Sequence, residues 1–406
     1  MNTLQRLKVR AIASKLRILY FCFYFGMGSL LPYLSPYFAS RGVSPAGIGL
    51  LLSISPLIGM VVPPLWGMLA DRSRRTLPWV RIQFVMLPIL VFTLFHTQGL
   101  LLLALALVAL ACFITAVAPL IDHIAMGYVQ AEGLDYGRIR VFGSLGFSLA
   151  NLSMSAFLLH QPLTHLYWLY IPALLGALLI TAFMREHSDS ELPPTNARDS
   201  QPTPALSSGS PLTSAPYSAL RAFMPLAGFY AMLLCFSVTV PVYGSYFPLY
   251  IQDMHLPASL TSIAFALSSG SEVLTMPFAT KLYARRGPRF MLTCSALAYV
   301  TRWLVLGLAH NAMLIVGAQV LHGVAFGFFY TSAVMYLRSA VPRDRLATGQ
   351  TLFAATSALG NVIGNLGGGA LFGLVGPRSF FELEALIALI CVVIVRRALR
   401  SAVTVN

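Results

Sequence analysis

Charge is what this chain has least of. Only 10% of its 406 residues are Asp, Glu, Lys or Arg, against roughly 25% in a water-soluble domain. With 57% of residues hydrophobic, the chain has too little polar surface to cover itself in water, which excludes an ordinary soluble protein. Cysteine is sparse as well. Cys22, Cys112, Cys235, Cys294 and Cys391 all lie in apolar runs and form no C-x-x-C pair, so they read as small buried hydrophobes, not as a disulfide framework or a metal site. No G-x-x-x-x-G-K-[ST] phosphate loop occurs, which excludes ATP-driven pumping within this chain. No cluster of Ser/His/Asp or of metal ligands presents itself at a membrane face, so we expect no enzyme site, no metal and no cofactor. The ten-residue segments of alternating polarity that build a membrane β-barrel are missing too.

What is present is a long series of apolar stretches of about 20 residues, the length that crosses ~30 Å of hydrocarbon as a helix. Divided at its charged and Pro/Gly turns, the sequence predicts twelve spans: 18–39, 46–69, 77–96, 99–129, 138–159, 164–184, 222–251, 258–283, 290–309, 311–340, 347–373 and 379–396. The fold class is therefore an all-α integral membrane protein. The basic start, MNTLQRLKVRAIASKLR, runs into a stretch too long for a signal-peptide core and shows no small-residue cleavage site, so it reads as a cytoplasmic tail. With that end inside, 24 of the 27 Lys and Arg residues fall in inner segments, and only Arg41 and Arg378 in outer ones. The formal charge of +14 is thus a topology signal that puts both termini in the cytoplasm, and it does not point to nucleic acid.

At 185–217 the composition turns abruptly to Ser, Thr, Pro and Asp, the character of a flexible linker. It separates 1–184 from 218–406, six predicted spans each. GMLADRSRR (67–75) after span two and TKLYARRGPR (280–289) after span eight occupy matching places. Two such halves related by an axis along the membrane normal are a transporter architecture, with substrate expected near the midplane between them.

Ionisable groups inside spans cost about 2.5–3.5 kcal/mol on insertion scales and so mark pathways or partners. Arg302 lies about 12 residues, ~18 Å, from the inner end of its span; it either snorkels or faces inward to a carboxylate or an anionic substrate. Glu272, read as the only acid well inside the C-terminal half, shares a face with Ser268, Ser269 and Thr275 and is the leading proton carrier, with a permanent ion pair to Arg302 as the alternative. Arg140, Ser144, Phe147 and Asn151 form one stripe on span five, which Asp122 can neutralise, either as a static bridge or as a pair that opens when substrate or proton arrives. His123 lies about 100° from Asp122. His322 shares a face with Gln319 and Phe326 and is a candidate for proton or substrate contact. Tyr24 and Tyr246 are candidates among the crowded aromatics of spans one and seven. Gly360, Gly364 and Gly368 follow small-xxx-small spacing for close helix packing.

GMLADRSRR resembles the loop signature of the major facilitator superfamily: Gly67, Asp71, Arg72 and Arg75 fit it, while Arg74 stands where a glycine is usual. The resemblance implies a gating role for those four residues. PLIDHIAMGYVQAEGLDYGRIRVFGSLGF (119–147) resembles the fourth and fifth spans of the proton-coupled lactose and nucleoside permeases, and more closely the phenylpropionate permease-like branch. SEVLTMPFATKLYARRGPRFMLTCSALAYVTRW (271–303) and QVLHGVAFGFFYTSAVMYL (319–337) echo the same branch. The implied protein is a proton symporter of two pseudo-symmetric six-helix bundles, carrying a small organic solute by alternating access in the cell inner membrane. By resemblance, Asp122, Arg140 and Phe147 hold substrate, and Glu272, Arg302 and His322 match the carboxylate, arginine and histidine of spans eight to ten; we expect proton coupling at Glu272, Asp122 and His322 and substrate contact at Arg302. Two departures count against a sugar: Ala325 replaces a glutamate central to proton release, and Gln319 replaces a lysine. Retained cations plus aromatics favour an aromatic or other organic anion; the alternatives are nucleoside or sugar symport, proton/drug antiport and, from another class, a membrane sensor. Expected partners are that solute, protons and the lipid bilayer, with the chain acting as a monomer.

Overall fold

The computed structural model describes residues 3–184, 223–342 and 345–398; the linker expected at 185–217 lies outside them. Every described element is helical. α1 (Thr3–Leu30) runs through a 3-10 turn at Leu31–Tyr33 into α2 (Leu34–Ser40). Then follow α3 (Pro45–Gly59), α4 (Val62–Ser73), α5 (Leu77–His96), α6 (Leu100–Glu132), α7 (Tyr136–His160) and α8 (Tyr167–Ala182). After the linker come α9 (Ala227–Asp253), α10 (Ser259–Leu308), α11 (Ala312–Gly317), α12 (Phe328–Ala340), α13 (Leu346–Val375) and α14 (Pro377–Ala398).

Two departures from the expected spans have local causes. The stretch 46–69 is two helices, because Pro63 and Pro64 lack the N–H groups that would carry hydrogen bonds through Met60 and Val61. The stretches 258–283 and 290–309 are two helices, as expected, labelled together as α10; Gly287, with φ 74° and ψ 172°, and Pro288 end one and start the next. Span ten is α11, a 3-10 turn (Ala318–Leu321), a π-helical turn (Gly323–Gly327) and α12.

Ten helical stretches among the described residues are long and apolar enough to cross a membrane, Ser259–Leu308 being one of them. α14 is not among them; it carries Arg378, Glu382, Glu384, Arg396 and Arg397. Large aliphatics face outward, as with Leu101 (74% exposed) and Met313 (80%), while Arg302 is fully buried. That inversion is what a lipid solvent requires, and the chain is a multi-pass membrane protein.

The helices group into two compact units. The first comprises Met1–Val43, Leu57–Pro202 and Ala258–Ala266, the second Ser44–Pro56, Thr203–Pro257 and Leu267–Asn406. In the first, α1 lies directly on α7: a Cβ on Gly28 would meet the Phe147 carbonyl at 2.8 Å, and one on Gly146 would meet that of Phe21. Bare backbones let the two helices touch. Arg81 donates to the carbonyls of Thr181 and Met184, and Lys15 to that of Phe183, so two cations satisfy the C-terminal end of α8. In the second unit, Gly360 meets Ser237, Gly364 meets Pro241, and Gly368 meets the Tyr246 ring, so the small-residue stripe of α13 packs on α9.

Candidate functional site

The second unit gathers its polar groups around Arg302, from α10, with its guanidinium 4.5 Å from the Tyr243 ring centre and 5.0 Å from that of Trp303. Nη2 and Nε donate to Oε1 of Gln319 at 2.6 and 3.3 Å, and Gln319 Nε2 donates to the Ile315 carbonyl at 2.8 Å. Nη1 lies 2.9 Å from Nδ1 of His322. Guanidinium can only donate, so Nδ1 accepts and the ring proton sits on Nε2. Nε2 in turn is 2.8 Å from Oε1 of Glu272. The arrangement is a chain, Glu272 to His322 to Arg302, with histidine as the link.

The local sequence explains this geometry. His322 stands where the 3-10 turn gives way to the π turn, the irregular helix that often re-aims functional side chains. Gly323 permits contact with α10: a Cβ there would strike the Ser271 carbonyl, and its N–H donates to Ser271 Oγ at 2.8 Å. Phe326 stacks on the His322 ring with centroids 5.6 Å apart. Ser268 is buried and hydrogen-bonded to Tyr243 at 2.8 Å, and Thr275 bonds to the Ser271 carbonyl. Tyr246 lies elsewhere, its hydroxyl on the Asn365 carbonyl and its ring against Phe372 and Phe380.

In the first unit, Asp122 and Arg140 have separate hydrogen-bond partners, although the Tyr20 ring that serves Asp122 also lies 5.8 Å from the Arg140 guanidinium. Asp122 Oδ1 accepts from Tyr20 and, at 2.9 Å, from Tyr136. Arg140 Nη2 donates to the Tyr24 hydroxyl at 2.9 Å, with the guanidinium 4.2 Å from the Tyr24 ring centre. No ion pair joins Asp122 to Arg140 among the described residues. Gly143 makes room for both Arg140 and Tyr24: a Cβ would lie 2.6 Å from Nη1 and 2.8 Å from the ring. Ser144 and Phe147 are half-buried. Asn151 is fully buried, donating to the Phe147 carbonyl at 2.8 Å and accepting from Tyr33 at 3.2 Å. His123 is exposed on another face of α6.

At the end of α4, Asp71, Arg72 and Arg75 are exposed and Gly67 borders open space. Arg74 adopts the left-handed conformation, φ 53° and ψ 27°. The turn is therefore the glycine-type turn, held by an arginine.

Sequence reading missed several groups. Tyr20 and Tyr136 hide among the many aromatics. Glu384 corrects the view of Glu272 as the only acid inside this half: it is 2% exposed, on α14, where the twelfth span was expected. The signal was available, since Glu384 shares a face with the apolar Ala388 and Cys391 at i+4 and i+7.

The model of the MFS_1 like family matches residues 13–383. The chain belongs to that family. The chain is a transporter, not an enzyme, and the proteins it resembles are named as transporters or permeases. It is 26% identical to the uncharacterized transporter YwbF of Bacillus subtilis over 95% of this chain and 93% of that protein. To the maltose permease of Geobacillus stearothermophilus it is 27% identical over 86% and 83% of the two chains. To the probable 3-phenylpropionic acid transporter of Escherichia coli it is 24% identical over 91% and 93%. The fold is that of the nucleoside transporter NupG, with a TM-score of 0.82, 18% identity and coverage of 95% and 98%.

Proposed function

We propose that this transporter is a proton-coupled symporter of a small organic anion, with an aromatic carboxylate as the best fit. The observation that carries the reading is the Glu272–His322–Arg302 chain. A neutral His322 accepts from Arg302 through Nδ1 and donates to Glu272 through Nε2. A proton added at Nδ1 turns that nitrogen into a donor facing another donor, so the contact with Arg302 breaks and a guanidinium edge becomes available to an anion. Proton and anion then favour the same state, which is the requirement for symport. Arg140, paired with a tyrosine hydroxyl and ring and not with a carboxylate, offers a second cation beside an aromatic surface.

The relative named as a 3-phenylpropionic acid transporter supports an aromatic acid. The one named as a maltose permease supports a second reading, sugar symport. In our reading the protein works as a monomer by alternating access in the cell inner membrane, with both termini cytoplasmic and solute, protons and lipid as its partners. Gly67, Asp71, Arg72 and Arg75 take the gating role.

The test is uptake into proteoliposomes under an imposed pH gradient, with 3-phenylpropionate, maltose, a nucleoside and a cationic dye. Accumulation of the acid driven by the gradient is expected. Accumulation of maltose alone moves the assignment to the sugar, and gradient-driven dye exchange replaces symport by antiport. Glu272→Gln abolishes gradient-driven accumulation while sparing counterflow; unchanged accumulation removes Glu272 from the coupling.

A further inference from the structure

Two thiols that the transport reading leaves unused meet inside the second unit. Cys235 of α9 and Cys391 of α14 are 156 residues apart in the chain, and their sulfurs lie 2.6 Å from each other. Unbonded heavy atoms rest roughly 3.5–4.0 Å apart, so nothing fits between these two. Cys391 is fully buried and Cys235 half-buried. Cys235 Sγ also points at the Ile387 carbonyl, 3.7 Å away and one turn before Cys391, which aims it at α14. Both cysteines sit within continuous helices of 27 and 22 residues in the same unit, so their backbones are held at fixed positions on packed elements. Cys22, Cys112 and Cys294 lie on α1, α6 and α10, and no other thiol pair occurs among the described residues.

The surroundings are unusual for lipid-embedded packing. Thr239, one turn beyond Cys235, accepts from the Trp303 indole at 2.8 Å. Glu384, two turns before Cys391, keeps one carboxyl oxygen buried with no hydrogen-bond partner. The thiols therefore border a polar strip, and they do not pack as inert apolar groups.

We propose that Cys235 and Cys391 are a dithiol site that lipid-soluble two-electron oxidants of the quinone class convert to a disulfide tying α9 to α14. Both S–H bonds break and one S–S bond forms; the two protons and two electrons reduce the quinone to its quinol. Cys235, the half-buried partner, is the sulfur an apolar oxidant meets first. Residues so far apart in sequence, on two helices of one unit, gain a covalent strut that reductant removes.

The experiment uses the full chain in liposomes, treated with decyl-substituted ubiquinone or with diamide, then denatured and labelled with a maleimide polymer that counts thiols by gel shift. The five thiols should fall by two on oxidation and return with dithiothreitol. Cys235→Ser and Cys391→Ser should each lose none on oxidation. A Cys22→Ser, Cys112→Ser, Cys294→Ser variant, which keeps the pair, should lose both of its thiols and melt at a higher temperature when oxidised. Retention of every thiol after both oxidants, in protein with an unchanged melting curve, overturns the proposal. Loss of two thiols in either single variant overturns it as well, because the disulfide then lies elsewhere.

Discussion

Arg302 illustrates what one residue does here. Each of its three nitrogens bonds Gln319 or His322 and its plane lies against Tyr243 and Trp303, so a lysine, with a point charge and no fork, cannot replace it. If the substrate is the proposed organic anion, Arg302→Lys should lower its apparent affinity at least tenfold, about 1.4 kcal/mol, in an initial-rate uptake assay. In the proposed mechanism His322 sets the pH dependence: a proton on Nδ1 would release Arg302, so affinity should fall as pH rises, and His322→Gln should flatten that profile. A flat profile in the unsubstituted protein would sink the proton switch. Arg74 makes a stability prediction. Its left-handed backbone costs an L-residue about 1–2 kcal/mol, which glycine avoids at the expense of unfolded-state entropy. Arg74→Gly should therefore raise the melting temperature by an amount equivalent to no more than about 1 kcal/mol, with transport unchanged.

At the scale of elements, glycines decide which helices can touch. On α7, the obstacle to a Cβ at Gly143 is the movable end of Arg140 and the Tyr24 ring. Gly143→Ala should fold normally yet push Arg140 off Tyr24, read as a loss of affinity with little change in melting temperature. At Gly323 the obstacle is the backbone of α10 at Ser271. Overpacking of that kind typically costs about 1–3 kcal/mol, so Gly323→Ala should lower both the melting temperature and transport. The π turn beside it was not legible in the sequence, since Gly323–Gly327 fits an ordinary helix equally well. Helix breaks at Pro63/Pro64 and Gly287/Pro288 were visible as residues but not as geometry. A proline inside an apolar run can kink, divide or simply bend a helix, and neighbouring packing chooses among these.

For the whole molecule, low charge and recurrent apolar runs were enough to place the chain in a membrane, and the family match over 13–383 agrees with the loop signature at 67–75. If the symport reading holds, a protonophore should collapse accumulation of the acid to its equilibrium level without slowing exchange between labelled and unlabelled acid. Accumulation that survives the protonophore would exclude proton coupling.

By itself, the sequence determined the solvent and the class of fold, because apolar length and scarce charge act additively along a chain and need no partner. It also picked out Glu272, His322 and Arg302 as residues too costly to bury without purpose. Only the tertiary structure decided that histidine stands between the other two, that Asp122 and Arg140 go to different tyrosines, and that Glu384 and the Cys235–Cys391 contact lie inside the second unit. These are pairings between distant helices, and hydrogen-bond direction and close contact at that range depend on how the helices are rotated and tilted against one another, which no local pattern encodes.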